Sequence, residues 1–341
     1  MSLLQVGARG EIRVNQLGLV AIGRNEGDRL RRCLESVVGQ VAQVVYVDSG
    51  STDGSQELAR SLGVDVVDLD LAVPFTAARA RNAGMERLLQ LHPHLEFVQF
   101  VDGDCEVVEG WLALALHTLQ THPDYAVVCG RRRERFPHRT LYNQLCDIEW
   151  STPVGEARAC GGDALMRVMA FRDVNGFNPS LIAGEEPEMC VRLRRAAWKI
   201  YRLDAEMTLH DAQMTRFSQW WQRSLRAGHA YAEGAFLHGN PPERHWVKES
   251  RSIWLWGLAM PLGAIALAPV TQGLSLLLLL GYALLGYRIY RYMHQQGYKF
   301  KDASLYALFC LIGKFPNALG QLTFYWNKRL GLRSQLIEYK Q

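Results

Sequence analysis

Two rhythms of apolar and polar positions alternate along the first 130 residues. Residues 17–22 (LGLVAI) form a short apolar run closed by Gly23, and residues 28–38 then set Leu30, Cys33, Leu34, Val37 and Val38 on one helical face. The same order returns with a strand over 41–47 (VAQVVYV) and a helix over 56–62, then a strand over 64–69 and a helix over 77–91. A fourth strand over 97–101 runs into Asp102-Gly103-Asp104, and a helix over 111–119 and a strand over 126–129 follow. Alternating strands and helices predict a doubly wound, mostly parallel α/β sheet, with ligands collected beyond the carboxyl ends of its strands. Residues 131–139 read as a basic, Pro-containing loop. Residues 142–210 carry few regular signals apart from a helix over 187–197 and a strand-like stretch before His210.

From Ile253 the pattern changes. Residues 253–270 and 273–287 contain no charge and are separated only by Thr271-Gln272, so they predict a tight helical hairpin that crosses a bilayer and returns. A third apolar stretch over 303–326 carries Lys314 and Pro316 at its centre, which suits a re-entrant or interfacial helix as well as a span. Arg244, Lys248 and Arg251 precede the first run, and Arg288, Arg291, Lys299 and Lys301 follow the second. Both flanks are therefore expected on the cytoplasmic side, at a cytoplasmic membrane. The expected division is a catalytic domain over 1–240 and a membrane-associated helical region over 241–341.

Charge adds a limit. A net +4 over 38 basic and 34 acidic residues is too balanced to argue for nucleic acid, though it suits a phosphate-bearing ligand or an anionic membrane. Seven cysteines without a CxxC pair argue against a zinc or disulfide framework. Residues 1–14 lack the apolar core of a secretory signal, which points to a cytoplasmic catalytic part.

The polar clusters at the strand ends carry the candidate chemistry. Asp102 and Asp104, with only Gly103 between them, can approach one hard cation bridging phosphate oxygens. Asp48, with Ser49 and Gly50 behind it, is placed to accept hydrogen bonds from a nucleobase or ribose, with Asn25 and Glu26 beside it. Arg79, Arg81 and Asn82 sit on a helix aimed at the same edge, and guanidinium groups suit a diphosphate. Gly184-Glu185-Glu186-Pro187-Glu188 sets carboxylates at a helix start, where one can take a proton from an acceptor hydroxyl. His210 can ligate the metal or touch a phosphate.

Over residues 17–231 these features resemble the family 2 glycosyltransferases of the GT-A fold. Five segments carry the resemblance in order: VAIGRNEGDRLRRCLESV, VVYVDSGSTDGSQELA, ARARNAGMERL, FVQFVDGDCEV and GEEPEMCVRLRRAAW. The resemblance implies an inverting transfer from a nucleoside-diphosphate sugar with Mg2+ or Mn2+. It implies Asp48 at the base, Asn25 and Glu26 lining that pocket, Arg81 near the donor, and Asp102 and Asp104 as the DxD pair with Asp104 a direct ligand. Glu186 falls on the catalytic base, within a Glu185-Glu186 pair where the family more often has Glu-Asp, and His210 completes the metal site. Residues 220–231 (WWQRSLRAGHAY) lack the Gln-x-x-Arg-Trp motif of processive members, which implies transfer of a single sugar. The acceptor expected from the hairpin is a lipid-linked saccharide or glycolipid. A nucleotidyltransferase would want a Gly-rich basic loop after the first strand, which residues 23–27 match poorly, and an inactive scaffold would not need Asp102, Asp104, Glu186 and His210.

Overall fold

The first apolar runs become a stack of adjacent strands because each is hydrophobic on both faces and must be covered by helices. In the computed structural model, which describes residues 16–332 and 337, β1 (Leu17–Gly23), α1 (Asp28–Glu35), β2 (Gln43–Asp48), α2 (Ser55–Ser61), β3 (Asp65–Asp68), α3 (Ala77–Leu91) and β4 (Phe97–Asp102) follow the expected order. Residues 1–14, read above for a targeting signal, lie outside the described residues. Next come β5 (Cys105–Val107), α4 (Trp111–Thr121), β6 (Tyr125–Glu134), α5 (Leu141–Glu149), β7 (Gly155–Glu156), β8 (Ala164–Arg167), α6 (Val168–Asp173), α7 (Glu185–Arg195) and β9 (Lys199–His210).

The chain folds as two compact units. The first gathers residues up to Arg135 with Ser151–Pro179 and Glu185–Asp211; the second gathers Phe136–Trp150, Ser180–Gly184 and the chain from Ala212 onward. The first unit is built on one sheet of order β3-β2-β1-β4-β8-β6-β9-β5, with β7 also on β9. Strands β3, β2, β1 and β4 are mutually parallel, and β8 is antiparallel to both β4 and β6. Its core is filled by Tyr46, Phe97, Phe100, Trp111 and Phe177, all fully buried.

Residues 131–139, expected as a loop, do not form one throughout: Arg131 to Glu134 continue β6 and pair with β9, with register shifts on either side of Arg131. Charged residues can stay in a strand when each finds a partner, and Arg132 pairs with Asp163 and Arg133 with Glu206.

Helix α3 lies close on the sheet. A Cβ at Gly84 would sit 2.3 Å from the Val20 side chain and 2.8 Å from that of Val47. Gly84→Ala is therefore expected to destabilise the protein by about 1–3 kcal/mol through overpacking. A thermal melt of the detergent-solubilised full chain checks this; an unchanged midpoint would show that α3 shifts outward without cost.

In the second unit α8 (Phe217–His238) and α13 (Lys314–Arg329) cross with little space between them: a Cβ at Gly228 would lie 2.1 Å from the Asn317 carbonyl, and one at Gly320 2.0 Å from the Leu225 carbonyl. Helix α9 (Val247–Trp254) passes through one π-helical turn, Leu255–Ala259, into α10 (Met260–Leu267). Pro261 has no N–H to donate to Gly257, which accounts for the irregular turn. Leu274–Leu279 is a 3-10 segment leading into α11 (Leu280–Gln295). The third apolar stretch is two helices, α12 (Phe300–Ile312) and α13, meeting at Gly313, with Pro316 in the first turn of the second where it costs no hydrogen bond. Among the described residues one helix, Leu274–Gln295, is long and apolar enough to cross a membrane. Around the turn of the hairpin, Val270 is 83% exposed and Leu274 68%.

Candidate functional site

The turns after β1 and β2 are laced together. Asn25, at φ 56°, accepts from the Thr52 N–H through Oδ1 at 2.7 Å and gives its own N–H to Ser51 Oγ at 2.9 Å, while the Gly27 N–H donates to Asp53 at 2.9 Å. Asparagine tolerates this left-handed backbone better than most residues. Glu26 pairs with Arg29 at 2.7 Å, and the buried Ser49 gives its N–H to the Gly23 carbonyl at 3.1 Å. Asp48 is fully buried. Its Oδ2 accepts from the N–H groups of Gly50 and Ser51 and from Gln56, and its Oδ1 from the Tyr46 hydroxyl. Burial alone would raise its carboxyl, but hydrogen bonds from Ser51, Gln56 and Tyr46 outweigh burial and hold it below the ordinary range.

The helix residues separate by direction. Arg79 donates to the carbonyls of Val73 at 2.7 Å and Asp70 at 2.6 Å, and Asn82 exchanges two hydrogen bonds with the Phe177 backbone, at 2.7 and 3.0 Å. Both hold neighbouring loops. Arg81 is buried and forks between two candidate residues, giving Nη2 to Asp102 Oδ1 at 2.6 Å and Nη1 to Glu185 Oε1 at 2.8 Å.

The sheet register explains how the second acid meets the histidine. Cys105 on β5 and Glu134 on β6 both lie opposite His210, the last residue of β9. Asp104, one residue before β5, thus comes to 3.0 Å from His210 Nε2, and Glu134 to 3.7 Å from Nδ1. All three side chains are buried. Burial works against protonating His210, yet Asp104 outweighs it and lifts its pKa above the ordinary histidine value. Gly103 gives its N–H to the Ile22 carbonyl at 2.8 Å, and a Cβ there would crowd that oxygen at 3.1 Å. The glycine thus lets the acidic turn fold down onto the end of β1.

Two groups of possible ligand atoms share Cys105, each group within 4.8 Å: Asp104 with His210, and Asp102 with Asp163. Carboxylates and an imidazole fit Mg2+ or Mn2+. The Cys105 thiol is the soft member of an otherwise hard ligand set, and burial, with Asp163 next, pushes its pKa well above the ordinary thiol value. Six of the seven cysteines are buried, and all are free. A third group, Cys160, Glu186 and Cys190, is poor in charge for the same reason: burial pushes the Cys190 thiol up to about 11 and that of Cys160 well above its usual value.

The Glu185-Glu186 pair opens α7 with its members in different settings. Glu185 is on Arg81. Glu186 is buried, and its Oε1 accepts from the Cys160 N–H at 2.5 Å and the Cys190 thiol at 3.0 Å. Arg132, Glu134 and Asp163 were not singled out from the sequence. The Arg131 to Glu134 run looked like a solvated loop, and Asp163 follows two glycines with no apolar pattern to place it.

Comparison with known proteins adds to this geometry. Residues 20–174 match the model of Glycosyl transferase family 2. The succinoglycan biosynthesis protein ExoA of Rhizobium meliloti is 27% identical over 219 residues, 58% of this chain and 64% of that protein. The glycosyltransferase AglE of Haloferax volcanii is 29% identical over 218 residues, 60% of this chain and 69% of that protein. The chain thus spans just under two thirds of the length of the first relative. Among solved structures, the mannosyltransferase PcManGT from Pyrobaculum calidifontis, in complex with GDP-Man and Mn2+, matches with a TM-score of 0.62 at 18% identity, covering 92% of this chain and 88% of that one. At that identity the likeness is one of fold.

Proposed function

We propose, from the match of residues 20–174 to the model of Glycosyl transferase family 2, that this chain moves one sugar, with inversion, from a nucleoside-diphosphate sugar to an acceptor hydroxyl. The observation that carries the reading is the meeting of Asp102, Arg81 and Glu185 in one ion-pair chain beside the buried Asp104–His210 pair. A structural ion-pair network alone would not also assemble carboxylates and an imidazole at the carboxyl ends of β4 and β9.

In this reading Asp104, His210 and Asp102 hold Mg2+ or Mn2+, which when bound supplies the positive charge that stabilises a departing diphosphate. Arg81 lies against Asp102 and is positioned to share the phosphate charge. The turns at Asn25-Glu26 and Asp48-Ser49 form the wall for the nucleoside, with Asp48 keeping the second turn rigid from beneath. Arg79 and Asn82 support the donor side by fixing the 70–73 and 177 loops.

We assign the proton acceptor to Glu186. One of its oxygens is anchored by Cys160 and Cys190, which fixes the carboxylate and leaves the other oxygen for the acceptor hydroxyl. Glu185 holds Arg81 in place. The exposed leucine-rich hairpin and the helix Leu274–Gln295 support attachment to the cytoplasmic membrane, with the catalytic unit on the cytoplasmic side and a lipid-linked saccharide or glycolipid as acceptor.

The test is release of nucleoside diphosphate by the full chain in detergent or nanodiscs, across a panel of nucleotide sugars, with Mn2+, Mg2+ or chelator, and with lipid-linked or soluble acceptors. Metal-dependent release from one donor, stimulated by a lipid-linked acceptor, is expected. Turnover of no donor would sink the enzyme reading, and equal use of soluble acceptors would remove the lipid.

A further inference from the structure

Beside the residues given roles above stands a pair outside the five segments that carry the family resemblance. Asp163 is fully buried and uses both carboxylate oxygens: Oδ1 accepts from the Asp102 N–H at 3.0 Å and from Arg132 Nη2 at 2.8 Å, and Oδ2 accepts from the Thr208 hydroxyl at 2.7 Å. Arg132 reaches further, to Asp102 Oδ2 at 3.3 Å, while Arg81 holds Oδ1 of the same carboxylate. Asp102 therefore has a guanidinium on each oxygen, and its side chain is 27% exposed, the most open in the cluster. Gly162 closes over this arrangement. A Cβ there would lie 2.8 Å from Arg81 Nη2, 3.1 Å from Asp102 Oδ2 and 3.3 Å from Arg132 Nη2, so only a bare backbone fits against the three groups.

The electrostatics of that arrangement depend on what arrives. A bare divalent cation approaching Asp102 meets two positive charges already on the carboxylate, and like charges in a partly buried site repel strongly. A cation accompanied by a diphosphate brings net negative charge, which the same guanidinium groups attract. The same Nη2 of Arg132 lies nearer to Asp163 Oδ1, at 2.8 Å, than to Asp102 Oδ2, at 3.3 Å, so Arg132 can leave Asp102 and keep its closer, buried partner.

We propose that Arg132 is an exchange residue of the donor site: in the free protein it occupies Asp102 and disfavours a bare cation, and in the loaded site it turns to the diphosphate while Asp163 keeps hold of it. Asp163 is then a positioning residue, fixing both the Asp102 backbone and the Arg132 side chain. Metal and donor enter together rather than in sequence. This inference rests on the reading of the cluster as a metal-diphosphate site.

Opposite signs test it. Isothermal titration of the full-length protein in detergent with Mn2+ alone, and then with pyrophosphate at saturating Mn2+, avoids dependence on the unknown base and sugar. Arg132→Gln is expected to bind Mn2+ alone about 5-fold tighter and pyrophosphate roughly 10-fold weaker. Arg132→Lys, which keeps the charge on a compact ammonium without the planar fork that suits a diphosphate, is expected to shift both in the same directions by about 2- to 3-fold, and it carries the test if the glutamine variant fails to fold by circular dichroism. A merely structural role would weaken both ligands together or leave both unchanged, and either result overturns the inference. If the wild type itself binds neither Mn2+ nor pyrophosphate, the metal-diphosphate reading falls and takes the inference with it; wild-type binding with unshifted variants overturns the inference alone.

Discussion

Asp104→Ala is expected to remove metal-dependent turnover, by roughly 10³-fold or more, while leaving the protein folded. The side chain is buried at the end of β9, with His210 Nε2 at 3.0 Å. Its loss removes the carboxylate nearest His210 Nε2 and takes a charged ligand from the cation that would stabilise the leaving diphosphate. The backbone around it is held independently, since the Asp211 N–H bonds the Asp104 carbonyl at 3.1 Å whatever the side chain. Nucleoside diphosphate release with Mn2+ and with chelator, beside a thermal melt, reads both halves. Retained metal-dependent turnover would show that Asp102 and His210 suffice, and Asp104 would return to a structural role.

Glu186→Gln should lower kcat by about 10²–10⁴-fold with donor affinity nearly unchanged. The amide keeps the size of the carboxylate and can still accept from Cys160, so the local packing survives, but it cannot take a proton. Glu185→Gln should act differently. It weakens the hold on Arg81 and so raises KM for the donor more than it lowers kcat. Steady-state kinetics of the two variants separate the assignments: a kcat collapse in Glu185→Gln with an active Glu186→Gln would transfer the base to Glu185, the more open of the two.

The periodic elements were legible because their apolar spacing is dictated by burial. Helix α3 has the bounds its pattern predicts, 77–91, and β1, β2 and β4 lie within two residues of theirs. Position along a helix was legible but direction was not. Arg79 and Arg81 are about 200° apart around the axis, so both cannot face one site, and the structure turns Arg81 to Asp102 and Arg79 to the 70–73 loop. The polar half of β6 was hidden because a strand of arginines looks like solvent-facing loop until its partners, Asp163 and Glu206, are known. Those partners lie 31 and 73 residues away in sequence, beyond any local rule. The grouping of segments 136–150 and 180–184 with the C-terminal helices is likewise a tertiary event that no composition shift announces.

The buried thiols described above have a practical use. Cys33, Cys105, Cys129, Cys146, Cys160 and Cys190 are all shielded from solvent, so water-borne thiol reagents can reach only the half-buried Cys310. A cysteine introduced at Val270, at the exposed turn of the hairpin, can then carry a fluorophore or spin label with Cys310 alone replaced. Quenching of that label by reagents in water or in lipid then tests whether the hairpin enters a bilayer.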